Sequence, residues 1–345
     1  MKANIDIVAK KCGVSKGTVS RVFTGRPGVS EAMKEKIYQA ARELNYSPQQ
    51  MIAQENIAII VSSSYKSAGP TQFYSMLLGD LIADITRLGY LVKIVGMDEL
   101  GSLLKCYTKV AVLMISNEDI TLHESSLKAL EIPLITINKI LPYAHSLCID
   151  HFDEIQQAVK YLLANGHRKI ALVLDNAMVW GGQERLRGYK DAMSRNGLAP
   201  AQYLSYQESN FSMLEIMARV RQSDATGVII CGESLVPEAV YAINLLGISV
   251  PDELSIISFE QKGFSKWLTP PHTTIDQDID ALSGEIASLI ACLIKNPKSG
   301  RIVKLLKSRL VVRQSVKDIS EQSESTLELR ISNTLETKFS ERQQL

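Results

Sequence analysis

The sequence predicts two fold classes in one chain: an all-α helix-turn-helix head, followed by an α/β body built on parallel sheets. Three observations carry this. Residues 1–54 hold nine Lys/Arg against four Asp/Glu, a net of +5, whereas the rest of the 345-residue chain holds 29 bases and 33 acids, a net of −4. The first fifty residues space their apolar side chains three and four apart, and from residue 57 short apolar runs alternate with amphipathic helical stretches. The length also exceeds one ordinary domain of roughly 100–200 residues. A basic head on a mildly acidic body suggests a polyanion-binding module joined to something else.

In the head, a first helix is expected from about Ile5 to Cys12, burying Val8 and Ala9. Gly13 supplies a turn that tolerates positive φ, and Ser15 can cap the next helix through its hydroxyl. That helix, Lys16 to Phe23, sets Val19 and Val22 on one face. After a Gly25-Arg26-Pro27-Gly28 loop, Ser30 opens a third helix to about Leu44, with Met33, Ile37, Ala41 and Leu44 on its buried face. Two short helices meeting at a glycine turn form a helix-turn-helix, whose second helix enters the major groove N-terminus first. Lys16, Gly17, Thr18 and Arg21 are therefore expected to face base edges and phosphates, with Ser15 and Ser20 completing the DNA-binding set. The plainer alternative is a helical hairpin with a solvated basic face.

In the body, strands are expected at Ile57–Val61, Tyr90–Val95, Val110–Ile115, Leu134–Ile137, Lys169–Leu174, Gly227–Ile230 and Leu254–Phe259. Helices are expected at Leu77–Leu88, Glu154–Asn165, Glu184–Asn196, Leu235–Leu246 and Asp280–Lys295. Strand–helix alternation implies parallel sheets with crossover helices. Residues 317–345 form a polar tail in which Leu327, Ile331, Leu335 and Phe339 lie four apart, either a weak amphipathic helix or a frayed end.

The longest apolar run, Val110 to Ile115, is far below the ~18 residues of a membrane span. The first residues carry no apolar signal stretch, and the five cysteines are scattered without disulfide or zinc spacing. These features lead to the expectation of a cytoplasmic protein without metal or other cofactor. Phosphate-cradling loops and His-Glu-x-x-His are absent, and His123, His145, His151, His167 and His272 lack metal-ligand spacing. No catalytic residue is assigned.

The stretch Ile7-Val8-Ala9 through Gly13-Val14-Ser15-Lys16-Gly17-Thr18-Val19-Ser20-Arg21-Val22, continuing at Val29-Ser30, Lys36-Ile37 and Leu44-Asn45-Tyr46-Ser47-Pro48, closely resembles the head of the lactose-repressor (LacI/GalR) family. The body resembles it too, at Gly166-His167-Arg168-Lys169-Ile170, Arg185-x-x-Gly188-Tyr189, Gly247 to Ser255, Pro271-His272-Thr273-Thr274-Ile275 and Leu310 to Ser315. The likeness is weakest between Asp98 and Asn117. It implies a DNA-binding domain at 1–48, a linker at 49–56 and a two-lobed periplasmic-binding-protein-like core at 57–316. One lobe would span about 57–148 plus 277–306, the other about 149–276 plus 307–316. The linker lacks the family's Ala-Arg-x-Leu; Met51 or Ile52 stands as the apolar wedge of a minor-groove hinge helix, or the segment is a plain tether.

The same resemblance implies a small-molecule effector, sugar-like by family, in the cleft beyond the strand ends. Arg185 matches the family's effector-binding arginine, or else is a surface helix charge. Asp150 matches the aspartate at the lobe crossing, but Glu154 stands where a glycine is usual, and Glu233 and Glu260 stand where aspartates are usual. Phe73, Tyr74, Trp180 and Trp267 are candidates to stack on a ligand ring, or to pack. The implied function is a homodimeric, sequence-specific transcriptional regulator, a repressor by family likeness, on a palindromic double-stranded operator. The alternatives are a regulator with an eroded pocket and a carbohydrate enzyme fused to a DNA-binding head.

Overall fold

A computed structural model describes residues 4–23, 28–44, 46, 56–62, 72–105, 108–199, 203–206, 210–260 and 263–320. The head folds as α1 (Ile5–Cys12), α2 (Lys16–Phe23) and α3 (Glu31–Glu43). Asn4 caps α1 by accepting the Ile7 amide at 3.0 Å, and Gly13 ends it at φ 70°, where a side chain would be strained. Ser15 Oγ accepts the Thr18 amide at 3.1 Å and so caps α2 as expected. Val8, Ala9, Cys12, Val19, Val22, Phe23, Ile37, Ala40 and Ala41 close one small core. Phe23 meets the edges of Tyr38 and Tyr46 at 5.6 and 5.9 Å, and Lys11 ties α1 to Glu43 of α3 at 2.6 Å.

Two six-stranded sheets follow. The first has the order β11-β5-β4-β3-β1-β2, from β1 (Asn56–Val61), β2 (Leu91–Gly96), β3 (Thr108–Met114), β4 (Leu134–Ile137), β5 (His145–Ile149) and β11 (Val303–Leu306). The second has the order β12-β10-β9-β8-β6-β7, from β6 (Ile170–Leu174), β7 (Tyr203–Ser205), β8 (Gly227–Cys231), β9 (Ser255–Phe259), β10 (Thr273–Asp276) and β12 (Arg309–Val311). In it β6, β7, β8, β9 and β10 pair in parallel, and β12 pairs antiparallel on β10. All seven expected strands form, within two residues at each end. All five expected body helices form as well: α4 (Gln72–Arg87), α6 (His151–Ala164), α7 (Trp180–Arg195), α9 (Leu235–Leu245) and α10 (Ile279–Lys295). Helices α5 (Asn117–Lys128) and α8 (Met213–Gln222), strands β5, β7, β10, β11 and β12, and a 3-10 stretch over Met97–Lys105 are additions.

The period of two in the second sheet builds two cores. Ile170, Leu172 and Leu174 face α6 and α7, burying Val159, Leu162, Tyr189 and Met193 with them. Ala171 and Val173 face α8 and α9, against Ile216, Met217, Val220 and Ala239. The Tyr189 hydroxyl, fully buried, is satisfied by donating to the Ile170 carbonyl at 2.6 Å. His167 is buried between the Thr226 hydroxyl at 2.9 Å and the Lys317 carbonyl at 3.0 Å, a structural role that also anchors the start of the tail. Residues 321–345, with Leu327, Ile331, Leu335 and Phe339 of the tail, lie outside the described residues.

The described residues cluster into two compact units. One draws on Met1–Ala68, Leu81–Ile135 and Ile286–Gly300, the other on Gly69–Asp80, Thr136–Glu285 and Arg301–Leu345. Strands β5 and β11 belong to the first sheet but group with the second unit by contacts. No helix among the described residues is long and apolar enough to cross a membrane.

Candidate functional site

The exposed face of α2 presents Lys16, Gly17 and Arg21, with Thr18 and Ser20 half-buried beside them. The Ser15 and Thr18 hydroxyls engage each other at 2.9 Å. The Lys16 ammonium lies 3.2 Å from Asp6 of α1, both side chains about 60% exposed, so water can replace that pair at little cost. A Cβ at Gly17 would meet only Ser15 Oγ at 3.6 Å, an ordinary contact. The α2 N-terminus thus offers a cation and an open backbone position, and its last turn an exposed arginine. Met51 and Ile52, with the rest of the linker to Glu55, lie outside the described residues.

In the second unit, parallel pairing sends Asp175, Glu233, Glu260 and Gln277 to the same sheet edge, just past the carboxyl ends of β6, β8, β9 and β10. A cavity of about 260 Å³ there is lined by Phe73, Tyr74, Trp180, His151, Arg185 and Glu233, with Asn138, Lys139, Asp175, Asn176, Ser234 and Gln277. The bend that brings Trp180 to it depends on Gly182, where a Cβ would fall 1.8 Å from the Asn176 carbonyl oxygen. Trp180 lies against the His151 ring at 5.4 Å, and Tyr74 meets Phe73 edge-on at 5.3 Å. A second cavity of about 210 Å³ shares Phe73, Glu233 and Gln277, and adds Glu260, Asp276, Asp278, Asp280 and Arg309.

Behind the first cavity lies a buried polar cluster centred on Glu154, whose side chain is 0% exposed. One carboxylate oxygen takes His151 Nδ1 at 2.8 Å and Arg185 Nε at 3.1 Å; the other takes Gln277 Nε2 at 2.6 Å and Ser308 Oγ at 2.9 Å. Burial alone would push this carboxyl up, but Arg185, His151 and the hydrogen bonds from His151 and Gln277 bring it down to about 2. His151 is held below the usual imidazole range by burial and by the Arg185 charge. It is therefore neutral at pH 7 and donates from Nδ1. The Arg185 guanidinium stacks on Phe259 at 4.6 Å.

Of the expected effector residues, Phe73, Tyr74, Trp180, Arg185 and Glu233 line the first cavity together. Asp150 lines neither cavity: its carboxylate accepts the Asp153 amide at 3.1 Å and caps α6. Glu260 reaches only the second, and Arg313 holds it at 2.6 Å with help from Thr274 at 2.9 Å. Glu233 accepts the Phe73 amide at 3.0 Å. Trp267, 75% exposed, lines neither. Arg185 is not the surface charge of the alternative reading, since its side chain is only 16% exposed. The sequence marked Glu154 as a departure but gave it no role, because nothing local shows that residues 31 apart meet; an acid in a glycine's place was the available signal. No group of three or more His, Cys, Asp or Glu among the described residues could hold a metal ion.

Residues 4–49 match the family described as bacterial regulatory proteins, lacI family, and residues 159–316 match a periplasmic binding protein-like domain. The chain is 27% identical over 342 residues to the HTH-type transcriptional regulator GalR of Escherichia coli (strain K12), covering 91% of this chain and 96% of that one. The Lac repressor dimer bound to operator and the anti-inducer ONPF superposes with a TM-score of 0.74 at 22% identity, over 92% of this chain and all of that one. A CelR–cellobiose complex gives 0.65 at 22%, over 91% and 99%. At these identities the solved structures establish a shared fold.

Proposed function

Because the chain belongs to the LacI/GalR family of transcriptional regulators, we propose that it is a cytoplasmic homodimer whose grip on a palindromic operator is set by a small, sugar-like effector in the cavity at Arg185. The observation that carries this reading is the joining, in one chain, of a capped α2 with an exposed basic face and a cavity lined by three aromatic rings and several hydrogen-bonding groups. Rings stack on the apolar face of a sugar, while amides and carboxylates take its hydroxyls. If effector and operator favour different arrangements of the body, linkage requires each to change the other's affinity by the same factor, about 5–150-fold for 1–3 kcal/mol of coupling.

GalR and the Lac repressor are named as regulators, and the CelR structure holds cellobiose; these names support the assignment of DNA and a sugar as ligands. The test is operator release or capture by the full-length protein across a library of neutral and acidic sugars. A second reading, a regulator that holds DNA without an effector, is favoured by one feature: Glu154 already engages Arg185. Failure of every sugar to move either operator affinity or melting temperature would favour it.

A further inference from the structure

Arg185 lines the 260 Å³ cavity, and Glu154 already pairs its charge. Glu154 accepts two hydrogen bonds on each oxygen, from His151 and Arg185 on one and from Gln277 and Ser308 on the other. That fills the capacity of a carboxylate. The arrangement is what an acidic ligand would need: a buried guanidinium, two neutral donors and a hydroxyl. The chain supplies the acid itself. We propose that Glu154 is a built-in occupant of the anion seat at Arg185, and that it bars acidic ligands from a cleft suited to uncharged, hydroxyl-rich ones.

The charges around the cavity point the same way. Its lining carries Lys139 and Arg185 against Asp175 and Glu233, and with Glu154 directly behind Arg185 the carboxylates outnumber the cations three to two. An incoming carboxylate or phosphate would meet this excess in a partly dehydrated site, where repulsion is stronger than in water. Hydroxyl groups suit it better. Glu233 and Asp175 accept from them, as does the Nε2 that a neutral His151 donating from Nδ1 leaves unprotonated. The inference rests on the effector reading above only for what the cleft takes; the occupied seat is a property of the chain's own side chains.

Melting temperatures of the full-length protein in sodium acetate, against sodium chloride at matched ionic strength, test the seat directly. Glu154→Ala empties it, so acetate should raise the melting temperature of that variant by about 2–4 °C, as a site-specific ligand does in a protein of this size. Wild type should not respond. Glu154→Gln, which keeps the shape but removes the charge, covers the case in which the alanine variant does not fold. D-glucuronate should stabilise Glu154→Gln and leave wild type at its chloride value. Loss of both responses on adding Arg185→Met would tie them to the guanidinium. Failure of the folded alanine variant to respond to acetate, or of the glutamine variant to glucuronate, overturns the proposal, as does stabilisation of wild type by glucuronate. Operator binding, measured in parallel, reports separately on the regulator reading. If the seat behaves as stated but no neutral sugar moves wild type, only the effector reading falls.

Discussion

Removing one member of the Glu154–Arg185 pair is expected to cost more stability than removing both. Glu154 is fully buried, so Arg185→Met would strand a carboxylate that burial alone pushes toward protonation; breaking a buried pair in this way costs about 3–5 kcal/mol. A Glu154→Leu/Arg185→Met double variant replaces both charges by apolar groups and should recover most of the loss. Denaturant melts of the four proteins in the cycle measure this, and equal destabilisation by single and double variants would remove the ion pair from the account. The buried histidines and Glu154 set a pH dependence. His145, His151, His167 and His272 are lowered by burial, with the Arg313 charge helping to bring His272 to about 4. Each binds fewer protons folded than unfolded between its two values, so unfolding takes up protons and stability rises with pH there. The histidine contribution is full above about 6.5 and is lost as pH falls toward the folded values; that of Glu154 is full above 4.5 and is lost toward about 2. Thermal melts should therefore be flat just above pH 7 and fall steadily below 6.5, with His272→Gln flattening the upper part of that fall. A melting temperature constant from pH 7 to 5 contradicts this.

Helix α2 can be tested as a unit, because its cap, buried face and exposed face are distinct side chains. Ser15→Ala removes the acceptor for the Thr18 amide and should cost the head about 1 kcal/mol. Gly17→Gln keeps the fold, since a Cβ there meets no close atom, and places an amide at the N-terminus of the helix. We expect that variant to change the preferred half-site in a binding-site selection; an unchanged consensus would remove Gly17 from the reading face. Arg21→Ala should weaken cognate binding by about 1–3 kcal/mol if the guanidinium pairs with a guanine edge. A phosphate contact would instead weaken all sequences alike. These elements were legible in advance because both signals are local: a hydroxyl before the first turn, and valines three apart. Helix α5 was not, because Asn117–Lys128 buries only Asp119 and Leu127 and so lacks an apolar stripe; its Ser116–Asp119 capping box was the readable sign. Strands β10 and β12, four and three residues long, escape a periodicity argument, and β10 buries threonines where apolar residues would have marked a strand. The cavity was half legible. The family resemblance pointed to Arg185 and Glu233, but the engagement of Asp150 and Glu260 by neighbouring groups follows from contacts that only the fold creates.

A regulator with one short recognition helix per chain needs two chains on one site. A single head offers few base contacts, too few for tight specific binding, and a second head on the same protein makes the second contact intramolecular and raises avidity without new chemistry. Homo-oligomers most often close by a two-fold axis, and a two-fold protein calls for an approximately palindromic operator. The linker sharpens this expectation. Residues 49–56 number eight, and eight extended residues span at most about 29 Å, less if they coil into helix. Each head is therefore tethered within a short radius, and the pair should tolerate little change in half-site spacing. Inserting five base pairs at the operator centre adds about half of a 10–10.5 bp turn and carries one half-site to the opposite face of the duplex. Binding of the full-length protein should fall to the level of a single half-site, while a ten-base-pair insertion, which restores the face and moves each head by only about 17 Å, should recover part of that binding. A flexible bead-on-string protein would tolerate both insertions. Equal affinity for all three operators, or a sedimentation mass of one chain per duplex, would exclude the symmetric dimer and leave each head reading DNA alone.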